Sequence, residues 1–197
     1  NALKTIQSKN SNIQISQLDV TDSEALSEWI APADIVLLAV PGFLGYKSLK
    51  TIINCGKDVV DISFSPENIL TLDQLAKEKN VTAIVDAGVA PGIPNFLLGY
   101  WNAKMKINSF DYCVGGLPKN PSPPYNYKAP FSPIDVIEEY TRPARMMVDS
   151  KVITKAALTD LEIFHFSEVG KLEAFNTDGL RSLLKTMKHI PNMKEKT

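Results

Sequence analysis

Strand-length apolar runs begin near residues 34, 58 and 81, and each is followed at once by a helical pattern, a repeat that leaves few folds open. Asp34 to Val40 is continuously apolar and closes in Pro41-Gly42, after which Leu44, Leu49, Ile52 and Ile53 recur at helical spacing up to a Gly56 stop. Asp58 to Ile62 is the next run, and Ser65-Pro66 supplies a helix cap followed by Pro at the first helical position. Val81 to Val85 opens the third cycle. Strands that are apolar throughout, rather than alternating, belong to parallel sheets covered by helices. The expected fold class is therefore α/β, a doubly wound parallel sheet with helices on both faces.

Upstream, Asn12 to Leu18 alternates apolar and polar residues and predicts a further strand at 13–18, with a capping box at Thr21-Asp22-Ser23-Glu24 opening a helix through Ile30. The first residues read as the last turns of a helix. The βα cycling ends near residue 105, where a domain boundary is placed, giving 1–105 and 106–197. Beyond it, Asn108 to Val114 reads as a strand, 119–130 as a Pro-rich surface segment, and Ser132-Pro133 as the cap of a helix with Ile134, Ile137 and Tyr140 on one face. Val152 to Thr154 and Leu161 to Phe166 are predicted as antiparallel strands of a second sheet. Thr177-Asp178-Gly179 is predicted to cap a helix with Leu180, Leu183 and Leu184 inward, and the chain is expected to finish in a polar tail.

Composition narrows the function classes. A net charge of -1 offers no electrostatic footprint for nucleic acid or an anionic membrane. No apolar run approaches the roughly 18 residues of a membrane span. Cys55 and Cys113 lie among apolar neighbours and read as reduced core residues of a cytoplasmic protein. His165 reads as a core or edge residue and His189 as part of the tail, without companions for a metal site. No Ser-His-Asp order supports hydrolysis.

The strand ends carry the candidate chemistry. Asp19-Val20, Ala39-Val40-Pro41 and Asp61-Ile62-Ser63 would line one edge of the sheet, where small side chains let a dinucleotide approach the backbone. The stretch Asp86-Ala87-Gly88-Val89-Ala90-Pro91-Gly92 joins a strand end to a helix start. Gly88, Val89, Ala90 and Pro91 are expected to flank a nicotinamide opposite Ala39, Val40 and Pro41. The glycine-rich fingerprint that would bind a pyrophosphate is absent from the sequence, and the chain reads as a fragment whose glycine loop lies upstream.

Five blocks then occur in order: Asp61-Ile62-Ser63-Phe64-Ser65-Pro66, Asp86 to Gly92, Gly115-Gly116-Leu117-Pro118, Tyr127-Lys128-Ala129-Pro130-Phe131-Ser132-Pro133, and Glu173 to Arg181. Together they resemble the saccharopine dehydrogenase family, most closely its lysine 6-dehydrogenase-like members, across essentially the whole chain. The resemblance implies a partial Rossmann doubly wound parallel sheet followed by a mixed α/β substrate domain, and an NAD- or NADP-dependent oxidoreductase acting on the C–N bond of a lysine-type amino acid, working as a homodimer. Alternatives are a carboxynorspermidine or homospermidine type of substrate, or a protein that keeps the fold and binds without catalysis.

Amine oxidation needs a hydride acceptor, a group beside the reacting amine and groups that hold the rest of the amino acid. Asp86 could pair with a substrate ammonium or simply cap the following helix. Lys128, beside Tyr127, could act with a lowered pKa or be a solvated loop lysine. Arg142 could grip a carboxylate bidentately or form a surface ion pair. Asn176 and Thr177 could present free helix-start amides to an anion or serve as a cap. Asn95 is a further substrate-side candidate. Arg142 and Asp86 are expected to face each other across the cleft.

Overall fold

The computed structural model describes residues 2–124, 128 and 130–197; Tyr127 lies outside the described residues. After α1 (Ala2–Lys9), which buries none of its residues, α2 (Ser23–Ile30) starts where Asp22 accepts the amides of Glu24 and Ala25. Then β1 (Ile35–Leu38), α3 (Gly42–Asn54), β2 (Asp58–Asp61), a 3-10 turn at Ile69–Leu72, α4 (Asp73–Lys79) and β3 (Ala83–Ile84) follow. These strands form a parallel sheet in the order β1-β2-β3, so their carboxyl ends share one edge. Leu49, Ile52 and Ile53 of α3 pack with Leu26 and Ile30 of α2 and with Leu38 and Val59 of the sheet. The other sheet face leaves Ile35, Leu37 and Ile84 exposed.

The strand expected at 13–18 does not form. Its alternation is there, but extended backbone becomes a strand only by pairing. Among the described residues this segment has no partner strand, and it is tied instead to α1, where Gln7 donates to the Ile13 carbonyl.

Next, α5 (Ile93–Asn102) buries only Leu98, which belongs to a second core with Met146, Met147, Leu180, Leu183, Leu184, Ile190 and Met193. That core lies on a mixed sheet. After β4 (Ser109–Cys113) and α6 (Pro133–Thr141) come β5 (Ala144–Val148), β6 (Lys151–Lys155), β7 (Glu162–Phe166), β8 (Gly170–Ala174), α7 (Leu183–Thr186) and β9 (Asn192–Lys196). The sheet runs β4-β9-β5-β6, with β9 parallel to β4 and antiparallel to β5.

Several expectations change here. The tail is not a tail: β9 occupies the middle of the sheet, burying Met193, Glu195 and Lys196. The segments at 152–154 and 161–166 are both strands but in different sheets, β6 on β5 and β7 on β8. No helix starts at Thr177, because that side chain donates to the Glu195 carboxylate while Asp178 is gripped by Arg145. Leu180, Leu183 and Leu184 do point inward, and a single turn of helix forms later as α7. Ile134, Ile137 and Tyr140 share a face of α6, but it is the exposed one; the buried positions are Asp135 and Val136. Cys113 is exposed, because β4 is an edge strand that turns Phe110 and Tyr112 inward and residues 109, 111 and 113 out. Cys55 is half-buried, and both cysteines are free. His165 is exposed on β7. Among the described residues no helix is long and apolar enough to cross a membrane.

Candidate active site at the domain junction

The carboxyl edge of the parallel sheet is where the two halves of the chain meet. At the end of β1, Pro41 begins α3, and the first amide of that helix does not face solvent. Gly42 N–H donates to Asp135 of α6, at 3.1 Å to Oδ1 and 3.3 Å to Oδ2. A carboxylate at a helix N-terminus complements its free amides and dipole. Glycine is required at 42 by packing, since a Cβ would stand 2.3 Å from the Phe64 carbonyl oxygen.

At the end of β2, Asp61 is fully buried and accepts the Ser63 amide at 2.8 Å and the Ser63 hydroxyl at 2.6 Å. Burial pushes its carboxyl above the usual range, with the Ser63 hydrogen bonds working against that rise. Ser63 and Ser65 hydroxyls lie 3.3 Å apart and fill the space beside Gly45, where a Cβ would come within 2.2 Å of either. This packing holds the turn that presents Phe64.

At the end of β3, Asp86 is buried in the left-handed conformation, φ 51°, which Asp tolerates better than most residues. Arg181 Nε donates to its Oδ1 at 3.2 Å and the Ser182 amide to its Oδ2 at 3.1 Å. Side-chain exposures of 5% for Arg181 and 0% for Asp86 make this a buried pair between residues 95 positions apart. The next loop folds back on itself: Gly88 and Gly92 bridge, and at φ 149° a Cβ on Gly92 would lie 1.9 Å from the Gly88 carbonyl oxygen.

Phe64 connects the remaining charges. Its ring centroid lies 4.4 Å from the Arg142 guanidinium carbon and 4.9 Å from that of Arg181. Arg142 Nη2 donates to Glu138 one turn back on α6, whereas its buried Nη1 has no partner among the described residues. Burial, and then the neighbouring charge of Arg181, push the Arg142 guanidinium below its ordinary pKa. Arg145, by contrast, makes a two-bond fork with Asp178 at 2.9 and 2.7 Å, which raises it.

The sequence candidates fall into three groups. Asp61, Ser63, Asp86, Gly88 and Pro91 sit at or under the common edge, with exposed Ala39 and Val89 and half-buried Val40, Pro41 and Ala90 at its surface. Arg142 is at the junction, where it shares the Phe64 ring with Arg181, the residue that holds Asp86. Asn95 lies on α5 with its Oδ1 buried and without a partner among the described residues. Asp19 is exposed and closes a turn by accepting the Thr21 amide and hydroxyl, beside half-buried Val20. Lys128 is exposed in its Pro-rich segment. Asn176 and Thr177 are elsewhere in purpose. Their amides donate to the Thr159 and Glu195 carbonyls, so the free helix-start N–H groups expected for an anion are absent. Among the described residues no group of His, Cys, Asp and Glu side chains is arranged to hold a metal ion.

Sequence reasoning passed over Arg181, Phe64 and Asp135. The first two stand inside the quoted blocks at 173–181 and 61–66, and a charged residue closing such a block was a usable signal. Asp135 carried a weaker one: a carboxylate on a helix face that the apolar pattern assigned to solvent.

Fold and junction define a protein of two α/β units, a Rossmann-like parallel sheet whose carboxyl edge is closed by a mixed-sheet unit contributing arginines. Residues 1–84 match the saccharopine dehydrogenase NADP binding domain and residues 88–197 match the saccharopine dehydrogenase C-terminal domain. The chain belongs to the saccharopine dehydrogenase family. It is 32% identical over 147 residues to saccharopine dehydrogenase [NADP(+), L-glutamate-forming] of Pyricularia oryzae, covering 71% of this chain and 32% of that protein. It is 29% identical over 150 residues to alpha-aminoadipic semialdehyde synthase of Arabidopsis thaliana, covering 73% of this chain but 14% of that protein. The chain thus spans a minor part of the curated relatives it matches. The apo structure of saccharopine dehydrogenase (L-Glu forming) from Saccharomyces cerevisiae has the same fold, with a TM-score of 0.68 at 24% identity over 98% of this chain and 47% of that one.

Proposed function

We propose that this chain is part of an NADP-dependent oxidoreductase that acts on the C–N bond of a lysine-type amino acid, with saccharopine as the first substrate to test and lysine the second. The observation that carries the reading is the junction itself: the buried pair Asp86 and Arg181 beside half-buried Arg142, gathered at the carboxyl edge where open α/β sheets bind ligands. The names of the relatives favour saccharopine and NADP over lysine and NAD.

The edge suits a nicotinamide ring. Exposed Ile62 and Val89, with Ala39 and half-buried Val40 and Ala90, offer a small apolar surface, and Gly88 keeps backbone accessible beside the Ile62 carbonyl. When bound, the dinucleotide supplies the hydride acceptor. Ala39, Val40, Pro41, Val89 and Ala90 would touch it, while Asp61, Ser63, Gly88 and Pro91 shape the loops beneath; Asp19 and Val20 would flank its far end. On the substrate side, Arg142 Nη1 is a free donor for a carboxylate and Asn95 Oδ1 a free acceptor for an ammonium. Asp86 would orient Arg181 and the reacting end, with Tyr127 and Lys128 approaching from their segment. Residues 1–105 and 106–197 would be the cofactor and substrate units of a cytoplasmic homodimer without nucleic-acid or membrane partners.

The test is turnover by the full-length protein carrying this chain, with NADP+ or NAD+ and saccharopine, lysine or carboxynorspermidine, followed by absorbance of the reduced nicotinamide. Saccharopine-dependent reduction of NADP+ is expected. No reduction with any of the three, from folded protein that binds the dinucleotide, would overturn the reading in favour of a binding protein.

A further inference from the structure

We propose that Phe64 is a positioning residue that stacks the guanidiniums of Arg142 and Arg181 into a two-armed grip for the substrate carboxylate, with Arg142 Nη1 as the arm that binds; this rests on the amino-acid dehydrogenase reading above. Three observations converge. First, both guanidiniums lie over the ring, at 4.4 and 4.9 Å, within the range at which an aromatic face attracts a cation. Second, Arg181 is neutralised by Asp86, but Arg142 is only half satisfied: Glu138 takes Nη2, and Nη1 is buried with no acceptor. Third, Arg181 and Arg145 oppose the charge of Arg142, while Asp178 and Asp135 favour it without bonding to its free Nη1.

Such an arrangement is unfavourable without a ligand, since an unpaired buried donor carries its full desolvation cost. A carboxylate at Nη1 satisfies the donor and offsets the repulsion between the arginines in one step. The ring is what lets the two cations approach: it offers each a favourable contact without neutralising either. Phe64 is itself fixed from below by the buried Asp61, Ser63 and Ser65 network, so its orientation belongs to the cofactor domain while both arginines belong to the other. A grip built across the junction can form only when the two halves are closed, which ties carboxylate recognition to assembly of the site.

The experiment compares Phe64→Leu, which keeps an apolar side chain and removes the ring face, with Phe64→Tyr, which keeps it, in the full-length protein. The expected result is a KM for the amino acid raised about tenfold or more by Leu with kcat within twofold of wild type, and restored by Tyr; a tenfold loss is about 1.4 kcal/mol, in the range of a desolvated cation–π contact. Calorimetric titration of the amino acid itself reads the same loss without turnover. Arg142→Met should raise KM at least as far. If Arg142→Met weakens the amino acid but Phe64→Leu leaves KM and binding unchanged, Phe64 is not a positioning residue and the reading of the site survives. Equal losses of kcat and 1/KM in Phe64→Leu that Tyr does not restore would make Phe64 structural and overturn the proposal. If wild-type protein neither oxidises nor binds the amino acid, the functional reading falls and the grip with it.

Discussion

Replacing Asp86 by Asn removes one charge and little else, which makes it the sharpest probe of the junction. The side chain is fully buried, its Oδ1 accepts from Arg181 and its Oδ2 from the Ser182 amide. Asn keeps one acceptor but sets an N–H where the second oxygen was, so either Arg181 or the Ser182 amide loses its partner. Arg181, 5% exposed, would lose its charged hydrogen-bond partner and keep a long contact to the Glu67 carbonyl and the Phe64 ring. Breaking one side of a buried ion pair typically costs about 3–5 kcal/mol. Because Asn preserves volume and one hydrogen bond, we expect the low end, about 3 kcal/mol. For a chain of this size 1 kcal/mol corresponds to about 2–4 °C, so the melting temperature should fall by about 6–12 °C. Calorimetry or urea unfolding followed by circular dichroism measures it. Adding Arg181→Met to Asp86→Asn removes the orphaned cation and should recover a substantial part of the loss, because an apolar replacement of a buried pair is often close to neutral. A single-variant loss below about 1 kcal/mol, or no recovery in the double variant, would refute the claim that this pair fastens the two halves.

Gly92→Ala should destabilise by about 2–5 kcal/mol, summing left-handed strain and overpacking, because its Cβ would collide with the Gly88 carbonyl; Gly56→Ala, at φ 69° with open space around it, should lose only about 1–2 kcal/mol, and equal losses in urea titrations would contradict the geometry. Glu139 on α6 is pushed up to about 7 by burial, then by the charges of Glu195 and Asp135. The folded protein therefore holds this proton between pH 4.5 and about 7 while the unfolded chain has released it, so this contribution is full below pH 4.5 and is lost as pH rises through 7. Glu139→Gln should melt progressively higher relative to wild type as pH rises across that window, and a constant difference would show that Glu139 does not titrate there.

The local grammar of this chain was readable without coordinates. Apolar runs of strand length at 34–40, 58–62 and 81–85, a helix start within 21–24, where Asp22 rather than the capping-box Thr21 proves to be the cap, and Pro133 at a helix start depend on contacts within a few residues, and the sequence carries such signals directly. The stretch after Asp86 was legible too, because its glycines signal a close approach of backbone, and at residue 92 a Cβ would lie 1.9 Å from the Gly88 carbonyl oxygen. What tertiary structure alone decided was pairing. Residues 13–18 had the pattern of a strand but found no neighbour. Residues 192–196 looked like a polar tail but became the central β9, where Glu195 and Lys196 are buried because Thr177, Gly179 and the Asp160 carbonyl bond them. Arg181 met Asp86 across 95 positions, and Asp135 met Gly42 across 93. These choices turn on which charges and strand edges the folded chain brings together, since a polar group is buried only beside a partner, and local spacing holds no information about a partner a hundred residues away.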